Sequence, residues 1–186
     1  MVQFVEANGI RIAYAEDGPV DGPVLLMSHS LSASGRMWEP QLPALTDKYR
    51  VIRIDTRGHG QTEAPSGDYT LDQLANDLLG VMDALGIQEA HYCGLSMGGM
   101  IGQTVALIAP ERFKTLVLCD TSSGYPPGGA SMWDERVKAA RANGLAAGLD
   151  GTIDRWFSPG FVKSAPDVIA GVREMIVATP VDGYCG

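Results

Sequence analysis

Tyr92-Cys93-Gly94-Leu95-Ser96-Met97-Gly98-Gly99-Met100 is the stretch that decides how this chain is read. Its centre matches G-x-S-x-G, and its flanks give the pattern weight: Ala90 to Cys93 reads as a strand and Met97 to Ala109 as a helix. A serine on so sharp a strand-to-helix turn is held in a strained backbone conformation, and glycines on either side relieve crowding. The hydroxyl is presented beside a helix N-terminus, whose free N–H groups favour developing negative charge. The same glycines exclude two cofactor readings. Gly94, Gly98, Gly99 and Gly102 do not form G-x-G-x-x-G, and no G-K-[ST] follows for a phosphate loop. Acyl transfer through Ser96, with no cofactor, is the natural chemistry.

Such a reaction needs donors for the oxyanion of a tetrahedral intermediate. The residue after the nucleophile, Met97, supplies one backbone N–H. The second is expected from the loop after the third strand, Ser28-His29-Ser30-Leu31-Ser32, with the Leu31 amide as candidate.

Outward from this centre the pattern alternates. Phe4 to Glu16 reads as two strands joined at Asn8-Gly9. Pro23 to Met27 is a short continuous apolar run, as in a strand buried on both faces. Trp38, Leu42, Leu45 and Tyr49 recur at helical spacing, and Val51 to Ile54 is a strand running into Asp55-Thr56-Arg57-Gly58-His59-Gly60. Thr70 with Gln73 makes a capping-box pattern ahead of a stripe from Leu71 to Leu85, stopped at Gly86. Thr115 to Cys119 is a further strand. The alternation predicts a mostly parallel α/β sheet with helices on both faces. Past a turn-rich segment no buried strand appears, only helical pieces at 131–147, 149–157 and 166–178. The expected division is a core over 1–124 and a helical lobe over 125–186, with the boundary near Tyr125.

The 186 residues suit one domain with an inserted lobe. Lys and Arg number 14 against 22 Asp and Glu, and a net charge of -8 argues against nucleic acid or an anionic membrane as partner. No apolar run approaches the ~20 residues of a membrane span, and the first residues lack a signal-peptide pattern. Cys93, Cys119 and Cys185 show no CxxC spacing, which argues against zinc or a disulfide framework. Cys93 and Cys119, inside apolar runs, read as buried small hydrophobes. A reducing cytoplasm is the default location.

Together these residues resemble an α/β-hydrolase, and within that fold the chain is most similar to 3-oxoadipate enol-lactonases. The likeness is carried by Ser28-His29-Ser30-Leu31, Met37-Trp38, the Asp55–Gly60 loop, Cys93 to Met100 and Ala109 to Arg112. In the lobe it is carried by Trp133 to Val137, Arg155-Trp156-Phe157 and Ala178-Thr179-Pro180. The resemblance implies hydrolysis of a small cyclic enol ester bearing a carboxylate, by attack of Ser96, an acyl-enzyme, and release by water. The lobe would be a cap. Broad short-chain carboxylesterase activity and a non-catalytic ligand-binding role are the alternatives. By fold analogy His29 pins its loop through hydrogen bonds rather than acting as the base. Trp133 and Val137 are one turn apart with Arg136 adjacent on the same helix, where a guanidinium fork beside an indole suits a substrate carboxylate; a solvated surface Arg in a helix-face ion pair is the alternative.

Triad partners in this fold follow in the order Ser, Asp or Glu, His. The only histidines, His29, His59 and His91, all precede Ser96, and acids follow it, notably Asp120 directly after the sixth strand. The expectation is therefore a longer hydrolase, in which a complementary C-terminal segment supplies the acid, the His and the final strands and helix.

Overall fold

The computed structural model describes residues 1–124 and 129–186. The expected boundary near Tyr125 lies outside the described residues. A six-stranded sheet has the order β1-β2-β4-β3-β5-β6, made of β1 (Val2–Ala7), β2 (Ile10–Asp17), β3 (Val24–Ser28), β4 (Arg50–Ile54), β5 (Ala90–Leu95) and β6 (Phe113–Cys119). The first two strands form a hairpin turned at Asn8 and Gly9, both with positive φ, as the Asn-Gly pair demands. β2 pairs antiparallel with β4, and the remaining pairings are parallel.

The apolar run of β3 is explained by two cores, one on each face. Leu26 packs with Ile52, Tyr92, α2 (Leu71–Ala84) and α3 (Met97–Ile108) on one side. Leu25 and Met27 meet Val51 and Trp38 on the other. Period two therefore buries both faces of a central strand, here every residue of β3 after Val24. At α2 the Thr70 hydroxyl accepts the Gln73 amide at 3.1 Å, and Gly86 at φ +68° ends the helix.

Three expectations need correction. Trp38 to Tyr49 is not one helix: a 3₁₀ segment over Gly35–Gln41 gives way to a single turn, α1 (Leu42–Leu45). Pro40 and Pro43 remove the N–H groups that a continuous helix would need. Cys93 and Cys119 are only half-buried, because they lie where β6 is an edge strand, and their sulfurs are 4.0 Å apart. Val117 and Leu118 on that edge are exposed. The lobe also holds more helices than expected. After α4 (Gly129–Asn143) and a 3₁₀ turn come α5 (Leu149–Trp156), α6 (Pro159–Ser164), α7 (Pro166–Ala178) and α8 (Val181–Cys185). α6 and α8 are too short to show a periodic stripe. Ile153, Ile169 and Ile176 form a separate small core among these helices.

A buried ion pair ties three elements of the sheet layer. The Arg57 guanidinium donates from Nε and Nη2 to the two Asp77 oxygens, each at 2.7 Å, and Asn8 Nδ2 donates to Oδ1 at 2.7 Å. Both charged side chains are at most 5% exposed. Asp77→Ala leaves a buried guanidinium uncompensated and should cost about 3–5 kcal/mol. Urea denaturation read by tryptophan fluorescence checks this; a loss within 1 kcal/mol would contradict it, by the same principle.

Candidate active site

Ser96 follows β5 directly and caps α3 with φ 52° and ψ -111°. Close packing imposes this turn. A Cβ at Gly94 would collide with the Gly98 carbonyl group, and one at Gly98 would sit 2.5 Å from the Ser28 carbonyl oxygen. A Cβ at Gly99 would sit 2.6 Å from Thr121. The Ser96 amide donates to the Cys119 carbonyl at 2.9 Å, and the Thr121 hydroxyl donates to the Ser96 carbonyl at 2.7 Å. Both backbone groups of the strained residue are thus held by β6 and the chain just after it.

An open cleft of about 1290 Å³ lies over this turn. Ser96, Leu31, Trp133 and Arg136 all line it, so four of the six site residues expected from sequence meet there. Met97 stands at the first turn of α3 with its side chain in the main core. Among the described residues neither the Leu31 nor the Met97 amide has an acceptor. The Gly98 amide donates to the His29 carbonyl at 3.1 Å, which fixes the loop after β3 against α3 between those two amides.

His29 lies beneath the loop, fully buried. Its Nδ1 is 2.8 Å from the Ser30 carbonyl, which can only accept, so Nδ1 carries the proton. Its Nε2 lone pair takes the Thr56 amide at 2.9 Å. His59, tilted against it at 5.2 Å between ring centroids, repeats the arrangement: Nδ1 donates to the Arg57 carbonyl at 3.0 Å and Nε2 accepts the Ser32 amide at 3.1 Å. Burial pushes His29 down to about 4 and His59 to about 3. Both lone pairs are occupied, so neither ring is available as a base. His91 lies on β5, with Nδ1 2.8 Å from the Thr115 hydroxyl, and does not line the cleft.

On the lobe side the Arg136 guanidinium stacks over the Trp133 ring at 4.7 Å. Sequence reasoning assigned no role to three further cleft residues. Arg155 on α5, Tyr184 on α8 and Arg36 ahead of α1 also face it, and no periodicity could have brought them together. Asp120, at φ 40° after β6, lines the cleft as well. Burial raises the Tyr184 phenol while Arg136 and Arg155 oppose the shift. No carboxylate pairs with Arg36, Arg136 or Arg155 among the described residues, although the chain carries net charge -8.

The strand order, the strained serine between β5 and α3 and the free amides agree with what sequence comparison finds. Residues 23–160 match the model of the alpha/beta hydrolase fold family. This chain is an alpha/beta hydrolase. It is 36% identical to 3-oxoadipate enol-lactonase 2 of Acinetobacter baylyi over 178 residues, covering 96% of this chain and 66% of that protein. The chain therefore spans about two thirds of that relative's length. Among solved structures it matches the enol-lactonase from Burkholderia xenovorans LB400 with a TM-score of 0.92 and 39% identity, covering 98% of this chain and 70% of that one. A thermophilic esterase from Thermogutta terrifontis, solved with malate bound, matches with a TM-score of 0.92 and 29% identity over the same shares of the two chains, 98% and 70%. Among the described residues of this alpha/beta hydrolase no helix is long and apolar enough to cross a membrane.

The histidine pair makes stability depend on pH in a defined direction. Both folded values lie below the unfolded 6.5, so the unfolded chain binds more protons as pH falls. The stabilisation is complete above pH 6.5 and is lost progressively toward 4 for His29 and 3 for His59. Between pH 6.5 and 5 the unfolding free energy should fall by on the order of 1 kcal/mol per pH unit per histidine. His29→Gln, which keeps a donor and an acceptor but does not titrate, should show about half the wild-type slope in urea titrations; an unchanged slope would exclude His29 as a contributor.

Proposed function

We propose that this alpha/beta hydrolase opens a small lactone or ester bearing a carboxylate, 3-oxoadipate enol-lactone being the leading candidate, through an acyl-enzyme on Ser96. The observation that carries this reading is the strained Ser96 lining one cleft with Leu31, while the Leu31 and Met97 amides have no acceptor among the described residues. The enol-lactonase relatives support the substrate class.

In this mechanism Ser96 Oγ attacks the lactone carbonyl carbon as a base removes its proton. The carbonyl oxygen becomes an oxyanion that the Leu31 and Met97 amides bind more strongly than the ground-state carbonyl. Collapse breaks the ring C–O bond, the enol oxygen leaves with a proton from the base, and water then hydrolyses the acyl-enzyme. Ring opening leaves both halves of a lactone on one molecule, so the product is a dicarboxylate. Residues 1–124 would form the catalytic layer and 125–186 the cap. Arg136 over Trp133 would hold the carboxylate already present. The base and acid would come from a complementary C-terminal segment, because His29 and His59 are engaged on both nitrogens and His91 stands off the cleft. The reaction would take place in the reducing cytoplasm, where the three cysteines remain thiols. The breadth of the cleft favours a second reading, a short-chain carboxylesterase of wide scope.

Ser96→Ala in the complete protein should abolish fluorophosphonate labelling and leave only about 10³-fold catalysis over water, from the oxyanion donors and binding. An unchanged kcat rejects the serine mechanism. Arg136→Ala should raise KM for the anionic lactone far more than for neutral p-nitrophenyl acetate; equal effects point to the broad esterase and against the clamp. Residues 1–186 alone should hydrolyse p-nitrophenyl acetate at a rate indifferent to Ser96→Ala, and a Ser96-dependent rate from them would reject an external base.

A further inference from the structure

We infer that His59 is a positioning residue for the oxyanion hole, acting through Ser32 to aim the Leu31 amide. This inference rests on the proposed serine mechanism and adds a residue to it.

The argument follows three consecutive peptide planes. In the first, the Ser30 carbonyl points down onto the buried His29 ring, to which it is bonded at 2.8 Å. A trans peptide holds its N–H opposite its C=O, and the described residues contain no cis bond. The Leu31 N–H of the same plane therefore points away from His29, on the side where Leu31 lines the cleft. In the second plane, the Ser32 N–H donates to His59 Nε2 at 3.1 Å. That bond is made while Ser32 is left-handed, at φ 59°, a conformation that strains a non-glycine residue. The third plane leaves this kink, and the Ala33 amide closes a turn on the Ser30 carbonyl at 3.1 Å. Two bonds to the Ser30 carbonyl, from His29 Nδ1 and the Ala33 amide, therefore hold the Leu31 N–H plane directly, and the Ser32–His59 bond fixes the plane that follows it.

His59 suits this task by its chemistry. The Arg57 carbonyl fixes the proton on Nδ1, so Nε2 presents a lone pair permanently, and burial keeps the ring neutral through the working pH range. The ring sits on the loop after β4, itself anchored by Arg57 on Asp77, so the aim of the Leu31 amide is referred to a rigid part of the sheet layer. Without the Nε2 acceptor, Ser32 loses the bond that holds its strained φ, and relaxation of the Leu31–Ser32 plane can turn the adjoining plane, with its Leu31 N–H, out of aim.

The test uses the complete protein and three readouts. His59→Phe should lower kcat by about 10²-fold, the size of one oxyanion donor, with KM within threefold. An aryl boronic acid, which places an oxygen in the hole when bound to Ser96, should lose affinity by a similar factor. His59→Gln, whose amide oxygen can accept from Ser32, should recover most of both. Loss of KM and kcat together in the Phe and the Gln variants, or an unchanged kcat in Phe, overturns the inference. Should the Phe variant not fold, ¹⁵N NMR of the wild type decides: a proton on His59 Nε2, or fast exchange of the Ser32 amide, overturns it, while an Nδ1–H ring and a protected Ser32 amide uphold it. Absence of Ser96 labelling in the wild type would instead mark failure of the serine mechanism itself.

Discussion

The close approach of backbone to backbone at Gly94, Gly98 and Ser28 is the constraint on which the rest of the site depends. With no Cβ at either glycine, the first turn of α3 lies directly on the ends of β3 and β5. That contact leaves Ser96 no route from strand to helix except φ 52° and ψ -111°. The strain, about 1–3 kcal/mol for such a residue, persists because its surroundings over-determine it. Cys119 and Thr121 hold the serine's amide and carbonyl, and the Tyr92 hydroxyl donates to the Gly98 carbonyl at 2.6 Å. The same proximity lets the Gly98 amide reach the His29 carbonyl, so one contact sets both the height of the serine and the gap between the two unengaged amides.

Those parts of the molecule whose cause is local were legible in the sequence. The Asn8-Gly9 hairpin, the Thr70 cap, the Gly86 stop and the Pro166 start of α7 each rest on the intrinsic preference of one or two residues. Strands β3 and β4 were legible because both faces bury, and Ser96 because its glycines are adjacent in sequence as well as in space. The segment from Trp38 to Tyr49 departs from its helical apolar spacing because two prolines break the hydrogen-bond ladder.

The remainder was not legible because its cause is contact between distant segments. The Asp55–Gly60 loop shows this residue by residue. Asp55 accepts the Gly35 amide at 2.7 Å and the Gln61 amide at 2.9 Å, Arg57 pairs with Asp77, and His59 reaches Ser32. Gly58 lies so close to Gly183 that neither has room for a side chain. The motif stood out as a string, yet nothing in the string says that its partners lie on the loop after β3, on α2 and on α8. The places of Thr121, Arg155 and Tyr184 at the site are hidden in the sequence for the same reason.

The Gly58–Gly183 contact also divides the molecule in a way that bears on specificity. It seats α8 against the loop after β4, the Tyr69 amide donates to the Gly186 carbonyl at 2.9 Å just past that helix, and Arg141 of α4 pairs with Asp182 at 3.2 Å, so the helices that carry Trp133, Arg136 and Tyr184 are referenced to the sheet layer through α8. Among the described residues no hydrogen bond joins the strained serine or the loop carrying Leu31 to those helices; theirs run to α3, β6, the chain after it and the loops after β3 and β4. Under the proposed mechanism, charge developing at the reacting carbonyl is met entirely by the sheet layer. The charge already on the substrate is met by the guanidinium of Arg136 over Trp133, on the other wall of the cleft. Binding energy from that wall can change with the side chains of α4, α5 and α8 without disturbing the geometry that makes the oxyanion favourable. A single scaffold can thus keep one acyl-transfer chemistry while the lobe decides whether an anionic lactone or a neutral ester is held over the serine.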